Sequence, residues 1–87
     1  MMEKRNVTVR CQSGLYNKQA LYFVQKANEF SSDLWVEFES KKLNAKSLMG
    51  IMYMGLVTGA EVTLSAEGPD ASDALDALEA LMQNDVI

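Results

Sequence analysis

Asn44-Ala45-Lys46-Ser47-Leu48-Met49-Gly50-Ile51-Met52-Tyr53-Met54-Gly55 lies between two stretches of alternating residues, and its own apolar run is too short for an independent core helix. Gly50 and Gly55 keep that run short, and Ser47 is the last hydroxyl before it. The segment therefore reads as a single short helix in which the Ser47 oxygen accepts a bond from an unpaired N–H of the first turn. The same place suits a phosphate, because free N–H groups and the positive end of the helix dipole favour an anion, and Lys46 adds a charge beside it. Taken alone, such a serine is a cap and Leu48, Met49, Met52 and Tyr53 are core residues. Three methionines in six residues shift the neighbourhood toward a contact surface, since methionine is flexible and over-used where partners must be accommodated. Some of them must still be core.

Working outward, the periodicity changes between two and 3.6 in a regular order. Asn6 to Cys11 alternates, with Val7, Val9 and Cys11 on one face and Thr8 and Arg10 on the other, which predicts a half-buried strand that Ser13-Gly14 breaks. Ala20, Phe23, Val24, Ala27 and Phe30 fall at helical spacing and predict a helix from about Asn17 to Phe30, capped by Asn17 or the residue before it. Leu34, Val36 and Phe38 alternate with Trp35 and Glu37, and Lys41 to Asn44 can pair back as a hairpin. After Gly59, Val62, Leu64 and Ala66 oppose Glu61, Thr63 and Ser65, and Gly68-Pro69 ends that strand. Asp70 then reads as an N-cap, and Ala71, Ala74, Leu75, Leu78, Leu81 and Met82 form one stripe of an amphipathic helix whose opposite face is acidic.

The order is strand, helix, strand, strand, short helix, strand, helix. Strands that alternate this clearly are covered on one face, which predicts an α/β (α+β) open-faced sandwich: a four-stranded antiparallel sheet with three helices on one side. Eighty-seven residues make a single domain, with a modest core and no room for a deep enclosed active site.

Composition narrows the function. The chain carries 48% hydrophobic and 23% charged residues, as an ordinary globular protein does. No apolar run approaches the roughly 20 residues that span a bilayer, and Met1-Met2-Glu3-Lys4-Arg5 has no apolar signal core behind it, so a cytoplasmic location and no membrane partner are expected. The single Cys11 cannot form an internal disulfide and reads as a buried strand residue, not a nucleophile. All eight Lys and Arg fall in residues 1 to 46, while residues 47 to 87 hold seven acids and no base, within a net charge of -4. Few, scattered bases in an acidic total argue against direct nucleic-acid binding and for a protein partner. Nothing in the pattern calls for a metal or a cofactor.

Several motifs together resemble the HPr family, the phosphocarriers of the bacterial sugar phosphotransferase system. They are Ser13-Gly14-Leu15 before the first helix, Asn44-Ala45-Lys46-Ser47-Leu48-Met49-Gly50-Ile51-Met52, Thr58-Gly59-Ala60-Glu61-Val62, and Gly68-Pro69-Asp70 leading into Ala74-Leu75-Asp76-Ala77-Leu78. The resemblance covers nearly the whole chain, and the Asn-x-Lys-Ser-(Ile/Leu)-Met-Gly portion is specific. It implies the HPr open-faced sandwich, in the order βαββαβα.

In that family a histidine after Gly-(Ile/Leu), followed by a small residue and Arg-Pro, takes a phosphoryl group from enzyme I and passes it to sugar-specific proteins. Here Tyr16 stands at the histidine, Lys18 at the arginine and Gln19 at the proline, and the chain contains no histidine at all. A relay needs a nitrogen that is nucleophilic near neutral pH and forms a readily transferred phosphoramidate, whereas a tyrosine hydroxyl titrates at about pH 10 and its phosphate is a poor donor. Lys18 keeps the positive charge but lacks the planar fork of arginine.

The serine site is intact. In HPr proteins of Gram-positive type, the serine at the position of Ser47 is phosphorylated by an ATP-dependent HPr kinase/phosphorylase, and the product binds the transcriptional regulator catabolite control protein A. The resemblance is to the histidine-less, catabolite-repression HPr-like subclass, which keeps that regulatory role alone. It implies a non-enzymatic regulator of carbon metabolism with Ser47 as phosphorylation site. Its partners would be the kinase/phosphorylase and a catabolite control regulator, met through Tyr16, Lys18, Lys46, Leu48, Met49 and Met52. Two alternatives stay open: a phosphocarrier that uses Tyr16 as acceptor, and a diverged, unphosphorylated HPr-like binding module.

Overall fold

The computed structural model describes residues 2–12 and 14–84, with Asn17 described by its backbone alone. The elements follow in the order β1 (Met2–Thr8), α1 (Asn17–Ala27), β2 (Asp33–Phe38), β3 (Lys41–Asn44), α2 (Leu48–Met54), β4 (Glu61–Glu67) and α3 (Ala71–Gln83). The four strands form one sheet in the spatial order β1-β4-β2-β3, every neighbouring pair antiparallel. The three helices cover one face, so the open-faced sandwich in βαββαβα order is the fold.

Strict alternation fixes which residues meet the helices. Val7 pairs with Val62, Leu64 with Val36, Ala66 with Leu34, and Val36 with Leu43, so one face of the sheet is a continuous apolar layer. Phe23, Val24 and Ala27 of α1 and Ala74, Leu75, Leu78 and Met82 of α3 are buried in the same cluster. On the uncovered face Lys42 lies over the Trp35 ring at 5.0 Å, a cation–π contact that shields the largest apolar side chain there.

The first strand corrects the sequence reading. It runs over Met2–Thr8, not Asn6 to Cys11, although Val7, Val9 and Cys11 are all buried as their alternation requires. Its start is hidden in the sequence because Arg5 occupies a helix-facing position. There the guanidinium donates to Asp76 at 2.6 Å and Glu79 at 3.0 Å, both on α3, and those bonds hold it more firmly protonated. Beyond Thr8 the chain leaves the ladder gradually. The Val9 N–H donates to the Ala60 carbonyl, and the Arg10 and Cys11 N–H groups donate to the Met82 carbonyl.

Two smaller readings also change, and a third gains a detail. Helix α1 ends at Ala27, where Asn28 turns its side-chain amide back to the Val24 carbonyl, so Phe30 packs against the core from outside the helix. The residue that precedes α1 is Tyr16, without a side-chain cap bond; Ser13 lies outside the described residues. Ser65 is buried on the uncovered face, between Lys4 and Trp35 in register.

Asp70 begins α3 but does not cap it with its side chain. Its carboxylate instead accepts the N–H of Ser31 and of Ser32, each at 2.9 Å, and the Ser32 hydroxyl, while its own N–H donates to the Ser32 oxygen at 3.3 Å. Gly68 makes this approach feasible, since a Cβ there would lie 2.7 Å from the Ser32 Cα. The hydroxyl of Ser32 foremost, and then the Ser31 N–H, pull the Asp70 pKa below its ordinary value. A depressed carboxylate pKa contributes stability that is present above the unfolded pKa of about 3.9 and lost as pH falls through the folded value. Asp70→Asn is accordingly expected to flatten the decline of unfolding free energy below about pH 4, measured by urea titration across pH. An unchanged acid limb would contradict the assignment.

Candidate functional site

Ser47 sits in extended conformation just before α2, is exposed, and accepts the Gly50 N–H at 3.2 Å through its hydroxyl oxygen. Its carbonyl accepts the Ile51 N–H at 3.0 Å, so both ends of the residue serve the first turn. The cap read from the sequence is thus present. Helix α2 then divides cleanly: Ile51 and Met54 point into the core, Leu48 is half-buried, and Met49, Met52 and Tyr53 face outward. Lys41 of β3 lies over the exposed Tyr53 ring at 5.3 Å, and Val57 continues the apolar surface past Gly55. Neither Tyr53 nor Val57 is among the contact residues that the sequence predicts. Helical spacing leaves Tyr53 a core candidate, and Val57 carries no local signal.

Lys46 is engaged. Its ammonium donates to the Phe30 carbonyl at 2.8 Å, its N–H donates to the Asn44 side chain at 2.8 Å, and its carbonyl accepts from Asn28 at 3.2 Å. Its charge therefore anchors the loop before Ser47 to the end of α1. Lys18, by contrast, is exposed on the first turn of α1.

Tyr16 meets the other end of α2. The loop that carries it is fastened by the Leu15 N–H to the Leu56 carbonyl at 2.8 Å, and the Tyr16 hydroxyl lies 3.4 Å from where a Cβ on Gly55 would stand. Ser47 and Tyr16 are thus placed at opposite ends of one short helix, separated along its axis by roughly 12 Å. The exposed methionines lie between them.

Gln19 has a role no sequence signal announced. It is buried, and its side-chain amide donates to the carbonyls of Leu81 and Asn84, tying the first turn of α1 to the end of α3. Gln19→Leu roughly keeps the volume but takes the amide away from two part-buried carbonyls, a loss of about 1 kcal/mol. Urea unfolding should register it, and a change under about 0.5 kcal/mol would contradict it. Among the described residues no group of three or more His, Cys, Asp or Glu side chains could hold a metal ion, and no helix is long and apolar enough to cross a membrane.

A family model matches nearly the whole of this chain. The model described as PTS HPr component phosphorylation site matches residues 3–84. The chain belongs to the HPr family. HPr-like protein Crh of Bacillus subtilis (strain 168) is 47% identical over 85 residues, covering 98% of this chain and 100% of Crh. Among solved structures, the phosphocarrier protein HPr from Bacillus anthracis str. Ames superimposes with a TM-score of 0.92 at 44% identity, over 94% of this chain and 98% of that one. Crystalline Crh of Bacillus subtilis, described as an intertwined dimer with a swapped domain, gives a TM-score of 0.74 at 49% identity over 88% of each chain. Within the HPr family this chain stands with the Crh-like proteins, and it is an HPr-like protein of the catabolite-repression type. Its relatives are carrier or regulatory proteins, not enzymes.

Proposed function

We propose that this HPr-family chain is a cytoplasmic regulator of carbon catabolite control, switched by phosphorylation of Ser47 and lacking the phosphocarrier activity of its relatives. The observation that supports the reading is the exposed Ser47 hydroxyl at the cap of α2, beside the outward-facing Met49 and Met52. An ATP-dependent HPr kinase/phosphorylase is the proposed source of the phosphoryl group, and a catabolite control regulator the proposed receiver of the modified chain. Tyr16, Lys18, Lys46, Leu48, Met49 and Met52 form the proposed contact region, with Lys46 acting through the loop it anchors.

The chemistry is that of a surface switch. The Ser47 oxygen attacks the γ-phosphorus of ATP, its proton passes to a base of the kinase, and ADP leaves. The resulting ester oxygen can still accept from the Gly50 N–H, and the new charge near -2 meets the positive end of α2. The modification therefore alters the surface without dismantling the helix. Tyr16 occupies the position where the resemblance puts the family histidine, and its aromatic ring adds an anchor to the same surface, not a relay.

Incubation with an HPr kinase and ATP, followed by intact-mass measurement and peptide mapping, tests the switch. One added phosphoryl group on Ser47 is expected. No addition, or addition at another residue, would sink the reading.

A further inference from the structure

We propose that Met49 and Met52 are a second modification site on the proposed contact surface, oxidised reversibly to the sulfoxide by peroxide, so that oxidants weaken docking at Ser47 while the fold stays intact. The inference rests on the Ser47 reading for the identity of the docking partner, and on the division of α2 for its chemistry.

Methionine oxidation depends on whether an oxidant can reach the sulfur and on what the product must face afterwards. The described methionines separate sharply. Met49 is 84% exposed and Met52 46%, whereas Met54 is 5% and Met82 0% exposed. Met2, at 39%, is exposed at the start of the edge strand, away from α2. Met49 and Met52 are three residues apart on the outer side of the helix, one turn from Ser47, while Ile51 and Met54 hold the inner side in the core. Oxidation of Met49 thus leaves the core untouched, and that of Met52, with close to half its surface exposed, disturbs packing far less than oxidation of Met54 or Met82 would.

The step is balanced with hydrogen peroxide as oxidant. The thioether sulfur donates an electron pair to one peroxide oxygen, an S–O bond forms, the O–O bond breaks, and water leaves. Sulfur is oxidised by two electrons and peroxide is reduced by two. A dithiol, working through a methionine sulfoxide reductase, returns the thioether and yields a disulfide and water. The product carries a strong S–O dipole on what was an apolar, adaptable side chain. In the isolated protein that dipole is solvated on Met49 and reaches water on the exposed side of Met52, so it costs little. Under a partner it must be desolvated or paired, so the penalty falls chiefly on association.

The test uses the whole chain, dilute hydrogen peroxide, and HPr kinase with ATP as the docking probe. Peptide mapping is expected to show sulfoxide at Met49 first, with Met54 and Met82 unmodified and the thermal unfolding midpoint unchanged. The initial rate of Ser47 phosphorylation is expected to fall about tenfold and to return after treatment with the reductase and dithiothreitol. In a Met49→Leu/Met52→Leu variant the rate, whatever its starting value, should no longer respond to peroxide. Oxidation of Met54 or Met82 as fast as Met49, or an oxidised chain phosphorylated at an undiminished rate, would overturn the inference while the Ser47 reading stands. A chain that takes no phosphate before peroxide is added overturns both.

Discussion

Ser47→Ala is expected to take no phosphate from an HPr kinase and to lose about 1 kcal/mol of stability, whereas Ser47→Asp takes none but keeps the wild-type stability to within about 0.5 kcal/mol. The two effects have separate causes. Alanine removes the acceptor of the Gly50 N–H, which then begins a helix of only seven residues with one fewer bond. Aspartate keeps an acceptor at the cap and adds a charge that the positive end of the helix favours. It remains a partial substitute for phosphate, with one negative charge in place of nearly two and a flat carboxylate in place of a tetrahedral group. Kinase assay and urea titration, run on both variants, check the pair. Phosphate on the alanine variant would show that the acceptor lies elsewhere, and an alanine variant of undiminished stability would show that the cap is idle.

The second large effect is expected at Gly14. Its backbone sits at φ 66°, where a side chain is strained, and a Cβ there would stand 2.5 Å from the Leu56 carbonyl oxygen and 3.0 Å from the Val57 Cα. Both obstacles are backbone atoms, so no side chain can turn aside to make room. The Leu56 carbonyl is also the acceptor for the Leu15 N–H at 2.8 Å, and moving it disturbs the bond that fastens the Tyr16 loop behind α2. Gly14→Ala is therefore expected to cost about 3 kcal/mol, combining left-handed strain with the damaged hydrogen bond. Against a total stability of about 5–15 kcal/mol for a domain, that is a large fraction. Denaturant titration decides it, and a loss below about 1 kcal/mol would contradict the contact.

The parts of this molecule that the sequence makes legible are those with local causes. The stripe from Ala71 to Met82 and the alternation of Val62, Leu64 and Ala66 declare a helix and a strand because each must bury one face. Ser47 declares its cap because the hydroxyl and the N–H it serves are three residues apart. What stays hidden is long-range. Arg5 makes the beginning of β1 look like a charged terminus until Asp76 and Glu79 arrive from α3. Asp70 looks like a simple cap until Ser31 and Ser32 take its carboxylate. Gln19, Lys46 and Tyr16 are likewise defined by carbonyls or glycines far away in the chain. The candidate surface was legible in Met49 and Met52, whose glycine-bounded run is too short to bury every apolar residue. Tyr53 was ambiguous because helical spacing alone cannot say which side of a seven-residue helix meets the core.

Ser47 is the proposed switch and the outer side of α2 the surface it controls. Titration calorimetry of a catabolite control regulator with the unmodified and the Ser47-phosphorylated chain tests that claim most directly. Binding is expected to be at least about tenfold tighter for the phosphorylated chain, a difference that disappears in Ser47→Ala carried through the same kinase treatment. Equal affinity for the two forms would contradict it.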